Sequence, residues 1–331
     1  MVDKPTIELI EEQSPAPSTA PPTKPPFKAR VIAHYKRWWW VHLLVTTVVT
    51  LVITLPLVYV GYPRIAQDAI NSSTLDVTSM EITSPTPTGF HLHQVQVLGT
   101  DSIFHPTLYE FNAAVRFPGD TDPMLNITVP NLKANDGATI DVDQKVALQD
   151  SDAFADFTKA MMLQEEVSLN IYGKPRLKQA GLHTITVTYN KTITMKGLNK
   201  LAGFQVLDMK LDPDRDDGMN AEGSVLIPNP SVTTIAMGNV TFDLSSNGTN
   251  LGTSVLRDLV IRPGNNTVPM LANIDQLTLL GLLPDNPPYN VEMQAEGVSS
   301  VYDGEELKYF SAALQSNPIT FTFDVSKALP A

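Results

Sequence analysis

Residues 38–62 read WWWVHLLVTTVVTLVITLPLVYVGY, and no aspartate, glutamate, lysine or arginine interrupts them. The run divides the chain into a head, a rod and a body. At 1.5 Å per residue, a helix of this length reaches about 37 Å, enough to cross a hydrocarbon layer of about 30 Å with some tilt. Residues 38–62 are therefore predicted to form one transmembrane α-helix. Trp38, Trp39 and Trp40 open the run, and Tyr59 and Tyr62 close it. Aromatic rings favour both membrane interfaces, so these five residues are the expected anchors, with Lys36 and Arg37 just outside. The hydroxyls of Thr46, Thr47, Thr50 and Thr54 can be satisfied on the preceding turn. Pro56 lies near the end, where it is tolerated. A cleaved secretory signal has an apolar stretch of about 7 to 15 residues ending at small residues. This run is longer, follows a head of residues 1–37, and reads as an uncleaved signal anchor.

The head holds seven prolines between Pro5 and Pro26. A segment so rich in proline, serine and threonine buries no core and is expected to be a disordered cytoplasmic tail, residues 1–37. Within it, Ser14-Pro15 is a candidate for proline-directed phosphorylation. Residues 1–40 carry six basic and four acidic side chains, and the rest of the chain 17 basic and 31 acidic. Lys28, Arg30, Lys36 and Arg37 precede the rod with no acid close by, whereas Arg64 follows it closely with Asp68 behind. The positive-inside rule then keeps the N-terminus in the cytoplasm and sends the C-terminal body to the lumen. Six Asn-x-Ser/Thr sequons, at Asn71, Asn126, Asn190, Asn239, Asn247 and Asn265, all follow the rod and are the candidate N-glycosylation sites. Asn229 is disqualified by Pro230.

Alternation of period two pervades residues 70–331, as in Val167/Leu169/Ile171, Ile185/Val187, Phe242/Leu244 and Ile319/Phe321/Phe323. Turn signals separate the runs: Asn135-Asp136-Gly137, Ser246-Asn247-Gly248 and Pro263-Gly264. Two segments have helical spacing instead. Asp152 is expected to cap a helix whose face holds Phe154, Phe157 and Met161, and Leu307, Phe310 and Leu314 make a second such face. The pattern also repeats at an interval of roughly 125 residues. Asp76–Met80 matches Gln205–Met209, and Val167–Gly173 matches Asn290–Gly297. The fold class expected is mostly β: the tail, the transmembrane helix, then two tandem antiparallel β-sandwiches with a few short helices, at residues 70–200 and 204–328.

The run Gly223–Ser231 with its Asn-Pro turn, then Gly238–Leu244, Leu251-Gly252 and Arg262–Asn265, resembles the late-embryogenesis-abundant sandwich, or water-stress and hypersensitive-response domain. Over about residues 35–328 the chain is similar to a fungal family of single-pass proteins of unknown function. Lys36–Trp40, Pro63, Lys196–Asn199, Asn229–Ser231, Tyr309-Phe310 and Ala312–Leu314 carry that resemblance. The family is similar to a vacuolar-membrane group implicated in ending autophagy. The resemblance implies a fungal endomembrane, most readily the vacuolar membrane, ahead of the plasma membrane or endoplasmic reticulum. It carries over no catalytic residue.

The net charge of −12 argues against a nucleic-acid partner, which needs a basic face for phosphates. Cysteine is absent, which excludes disulfides, thiolate nucleophiles and cysteine metal sites. The loop Asp212–Gly218 has acids at positions 1, 3 and 5 of a calcium loop, but Asp217 stands where glycine is needed and Gly223 where glutamate is needed, so a solvated hairpin is expected. His91 and His93 can share one strand face and have no evident third metal ligand. No Gly-x-Ser-x-Gly elbow or phosphate-binding Gly-Lys-Ser/Thr occurs. No catalytic, cofactor or metal site is expected; a hydrolase would need convergent acids or a Ser/His pair in one cleft, and is set aside if His91, His93, His105 and His183 are scattered. The expectation is a non-enzymatic membrane protein whose lumenal sandwiches bind a partner or scaffold, the alternative being a lipid-binding or lipid-transfer module.

Overall fold

The computed structural model describes residues 27–212, 215 and 217–327. The expected tail over 1–26, with Ser14, lies outside them. The chain divides into Met1–Tyr59 and Val60–Ala331.

In the first unit, α1 spans Phe27–Pro56. Residues 27–37 are thus helical, which corrects the expected start at Trp38. The sequence explains the difference: Pro26 is the last proline of the head, and the following residues are ordinary helix formers. The backbone departs from helical geometry at Trp38 (φ −119°, ψ 18°), where the charged flank gives way to the apolar run. Thr47 donates to the Leu43 carbonyl and Thr54 to the Thr50 carbonyl, as the spacing implied. A π-helical turn, Leu57–Gly61, follows Pro56. Helical residues long and apolar enough to cross a membrane run over His34–Ser72, and none of the apolar stretch is buried.

The second unit opens with α2, Tyr62–Ser72, with Pro63 in its first turn. Strands β1 (Thr74–Thr86) and β2 (Gly89–Gly99) form a hairpin. Next come β3 (Thr107–Leu108), β4 (Phe111–Arg116), β5 (Leu125–Val129), β6 (Leu132–Lys133) and β7 (Ala138–Ala147). Helix α3 (Ser151–Leu163) leads to β8 (Glu166–Gly173), β9 (Arg176–Lys178), β10 (Ile185–Thr186) and β11 (Tyr189–Lys196). The remainder is β12 (Gln205–Leu211), β13 (Ala221–Asn229), β14 (Thr233–Ser246), β15 (Thr249–Ile261), β16 (Gly264–Ile274), α4 (Gln276–Gly281), β17 (Asn290–Tyr302), β18 (Glu305–Glu306), α5 (Lys308–Gln315) and β19 (Ile319–Asp324).

Among the described residues the strands form three sheets. The largest runs β12-β13-β16-β15-β14-β1-β2-β7, with β17 also on β14 and β19 on β17; the others are β10-β9-β3-β6 and β11-β8-β4-β5. Alternating burial in β8 and β11 puts Val167, Leu169, Ile171 and Ile193 inside, while β2 and β7 bury Phe90, Leu92, Ile140 and Val142. The β14–β15 hairpin turns at Asn247 (φ 49°) and Gly248 (φ 75°), the two positive φ values a two-residue type I′ turn requires.

The two halves of the body share one sheet. On one edge β14 pairs with β1 in parallel through Thr233–Ile235, then antiparallel with β17 through Asn239–Ser245. Gly238 (φ 70°) sits where the edge changes partner, and a Cβ there would lie 2.3 Å from the Val301 carbonyl oxygen. Helices close the junction. Thr158 of α3 donates to the Tyr309 carbonyl (2.7 Å), and Tyr309 of α5 donates to the Thr86 carbonyl (2.9 Å). The Phe154 ring packs against Phe90 (5.2 Å) and Tyr309 (5.0 Å). Phe154, Phe157 and Met161 of α3 are buried as expected. The helix cap is corrected: Asp150 accepts from the Asp152 and Ala153 amides, so Asp152 lies in the first turn.

Candidate functional site

The strongest arrangement of long-range polar contacts joins α2 to the body. Tyr62, Ala66 and Ile70 recur at a spacing of four, which aligns them on one helix face, and all three pack against the core. Polar contacts then fix the helix at three levels. The Tyr62 hydroxyl accepts from the Gln179 amide (3.2 Å), and its ring meets His183 edge-on at 5.8 Å. Gln67 accepts from the Thr188 amide and donates to the Thr188 carbonyl, 2.8 Å each. Lys191 donates to the carbonyls of Asn71 (2.8 Å) and Ser73 at the helix C-terminus. There a cation meets carbonyls without an intrahelical donor and the negative end of the helix dipole. Lys191 is buried, and burial lowers its pKa from the ordinary lysine range.

The anchor residues thus separate. Tyr62 meets the body. Trp38, Trp39, Trp40 and Tyr59 are exposed on the first unit, as an apolar helix facing lipid would place them. The six sequon asparagines, Asn71, Asn126, Asn190, Asn239, Asn247 and Asn265, are all exposed. Asn126, Asn190 and Asn239 point outward from β5, β11 and β14, away from the buried neighbours Leu125, Tyr189 and Val240.

His91 and His93 share one face of β2 and turn to β7, His91 Nε2 lying 2.8 Å from Asp143 and His93 Nε2 3.3 Å from Asp141. His105 Nδ1 lies 3.4 Å from the Ala134 carbonyl, and His183 sits at Tyr62. These four histidines therefore meet four different partners. In the acidic loop, Arg215 forms a two-point pair with Asp217 (3.0 and 3.2 Å) and reaches Glu222 (2.7 Å). That hydrogen-bonded pair holds the Asp217 pKa down at about 2. Asp214 and Asp216 lie outside the described residues. Among the described residues, no group of three or more His, Asp or Glu is placed to hold a metal ion.

Strands β12, β13, β16, β15, β14, β17 and β19 curl around an apolar interior lined by Val225, Phe242, Leu244, Leu256 and Met270. The Phe204 and Phe321 rings, 6.0 Å apart, bridge the two unpaired strand edges. The interior cavity is about 20 Å³. That is room for about one water molecule, whereas ligand pockets run to about 300–1,000 Å³. A second cavity of about 20 Å³ lies at the junction of the halves, among Met80, Met161, Met162, Met237, Thr158 and Thr233.

Residues 122–244, from just before β5 through most of β14, match a family described as a protein of unknown function, DUF3712. No curated protein matches. Among solved structures, the chain is similar to the CupB6 tip adhesin from Pseudomonas aeruginosa, at 11% identity and a TM-score of 0.18, covering 60% of this chain and 88% of that one. It is similar to the periplasmic chaperone SfaE at 12% identity and a TM-score of 0.18, covering 71% and 96%. It is also similar to the N-terminal region of an enterococcal surface protein, at 8% identity and a TM-score of 0.16, covering 76% and 93%.

Proposed function

We infer that the chain is a non-enzymatic, single-pass membrane protein whose body binds a partner or scaffolds at a membrane surface. The observation that carries this reading is the joint at α2. The chain leaves an apolar helix and is clamped within eleven residues to a β body. These contacts hold the segment that follows the apolar run on the body, which suits a body that works next to a membrane.

Flanking charge supports a cytoplasmic N-terminus and a lumenal body, and six exposed sequons on that body suit N-linked glycans. The fungal vacuolar membrane and a role in autophagy rest on the sequence resemblance. Residues 70–200 and 204–328 are read as two related sandwiches: β1 opens the first as β12 opens the second, and α3 precedes β8 as α4 precedes β17. The lipid-transfer alternative has less support, because the interior leaves room for about one water.

The test is mass spectrometry of the full chain purified in mild detergent, read for copurifying protein and lipid. The reading expects stoichiometric protein and no retained acyl lipid. Lipid retained at one molecule per chain, and no protein, would overturn it in favour of the alternative. Imaging an N-terminal fluorescent fusion tests the vacuolar assignment, which fails if the signal marks another membrane.

A further inference from the structure

We propose that the loop between β2 and β3, with Ile103 and Phe104 at its tip, rests in the headgroup layer of the bilayer and docks the body onto the lipid surface. The inference rests on the transmembrane reading of residues 38–62.

The loop presents apolar side chains outward. Ile103 is 83% exposed and Phe104 47%, although neighbouring strands bury nearly all such residues. Side-chain oxygens that accept from backbone amides hold the tip in place. Asp136 accepts from the Thr100 amide, the Thr100 hydroxyl from the Ser102 amide, and the Ser102 hydroxyl from the Phe104 amide. An ordered loop that keeps an isoleucine and a phenylalanine in solvent is poised to meet an apolar layer.

Chain continuity identifies that layer. The loop returns to Thr107, which pairs with Lys178 on one side and Lys133 on the other. The next residue after Lys178 is Gln179, whose amide donates to the hydroxyl of Tyr62, the last residue of the apolar run. The loop therefore opens at the end of the body where the chain leaves the bilayer. Lys133, Thr107 and Lys178 are all exposed and occupy one row of their sheet, so their side chains share a face. Two lysines behind an apolar tip suit lipid phosphates above acyl chains. Asp101 and Asp136 are the nearby acids, and Asp136 is engaged with the Thr100 amide.

The absence of native cysteine makes the test direct. Single-cysteine variants of the full chain, Ile103→Cys, Val52→Cys and Glu292→Cys, carry an environment-sensitive fluorophore in phosphatidylcholine nanodiscs with or without spin-labelled lipid. The probes at 52 and 103 are expected to lose most of their emission to the spin label, while the probe at 292 keeps its emission. Quenching at 52 without quenching at 103 overturns the docking and leaves the span intact. Quenching at 103 alone keeps the docking and refutes the span. Quenching at neither position refutes both, and equal quenching at 103 and 292 refutes the specific seat.

Discussion

Replacing Lys191 with methionine tests whether α2 is clamped to the body. The stem volume is kept, and so is the sequon Asn190-x-Thr192. What goes is the ammonium that donates to the Asn71 and Ser73 carbonyls. A hydrogen bond to a charged group contributes about 1.5–3 kcal/mol, and a cation at a helix C-terminus about 0.3–1 kcal/mol. Two effects oppose the loss. Asn71 is exposed, so water takes over its carbonyl, and the cost of burying an ammonium disappears. The half-buried Ser73 carbonyl is left with the poorer replacement. The net local cost is then about 1–2 kcal/mol, which corresponds to a factor of about 5–30 in the opening equilibrium. Amide hydrogen exchange of the full chain in nanodiscs reads this directly. Amides at the end of α2, including Ser73, which donates to the Ala69 and Ile70 carbonyls, are expected to exchange faster by that factor while β8 is unchanged. Unchanged exchange at Ser73 would refute the clamp.

Other substitutions read the junction of the halves. Thr158 and Thr233 line the same cavity with opposite expectations. Thr158→Val loses the bond to Tyr309 and is expected to destabilise by about 1 kcal/mol, whereas Thr233→Val removes a buried hydroxyl without a partner and is expected to be neutral or stabilising. Denaturant midpoints moving in the reverse order would contradict this. Gly297→Ala puts a Cβ 2.3 Å from that of Leu314 and is expected to cost about 1–3 kcal/mol by forcing α5 off β17; a melting temperature equal to wild type would count against that packing. For Asp217 the folded pKa is depressed, so its contribution is present above the ordinary carboxylate range and is lost only as pH falls toward about 2. Its carboxyl carbon shift should titrate near that value and move up in Arg215→Met; a wild-type midpoint near 4 would contradict the ion pair.

Much of this architecture is legible in local pattern. Alternation marks the strands, Asn247-Gly248 marks its hairpin, and Phe154, Phe157 and Met161 mark the buried face of α3, because each depends on neighbours within a few residues. The cap of that helix was less clear, since Asp150 and Asp152 both offer a carboxylate and only backbone geometry separates them. The α1 start at Phe27 is hidden by the contrast between a charged flank and an apolar run, which reports polarity rather than backbone conformation. The joint is hidden for a different reason. Tyr62 and Gln179 are separated by 117 residues, and Gln67 and Thr188 by 121, so no local period links them. Tyr62 reads as an interfacial aromatic, and nothing beside it signals that its hydroxyl accepts from the body. The parallel pairing of β1 with β14 is equally silent, because the apolar pattern of each strand only says that one face is covered. His91 and His93 were legible as sharing a face, whereas Asp141 and Asp143 as their partners required the register of β2 against β7.

The central claim is that one apolar helix crosses a bilayer and delivers the β body to the far side. Sealed microsomes carrying the full chain test it most directly, treated with protease from outside and then with endoglycosidase after lysis. The account expects the body to survive the protease and then shift in mass as its glycans are removed. A body digested in intact vesicles and unchanged by endoglycosidase would contradict it.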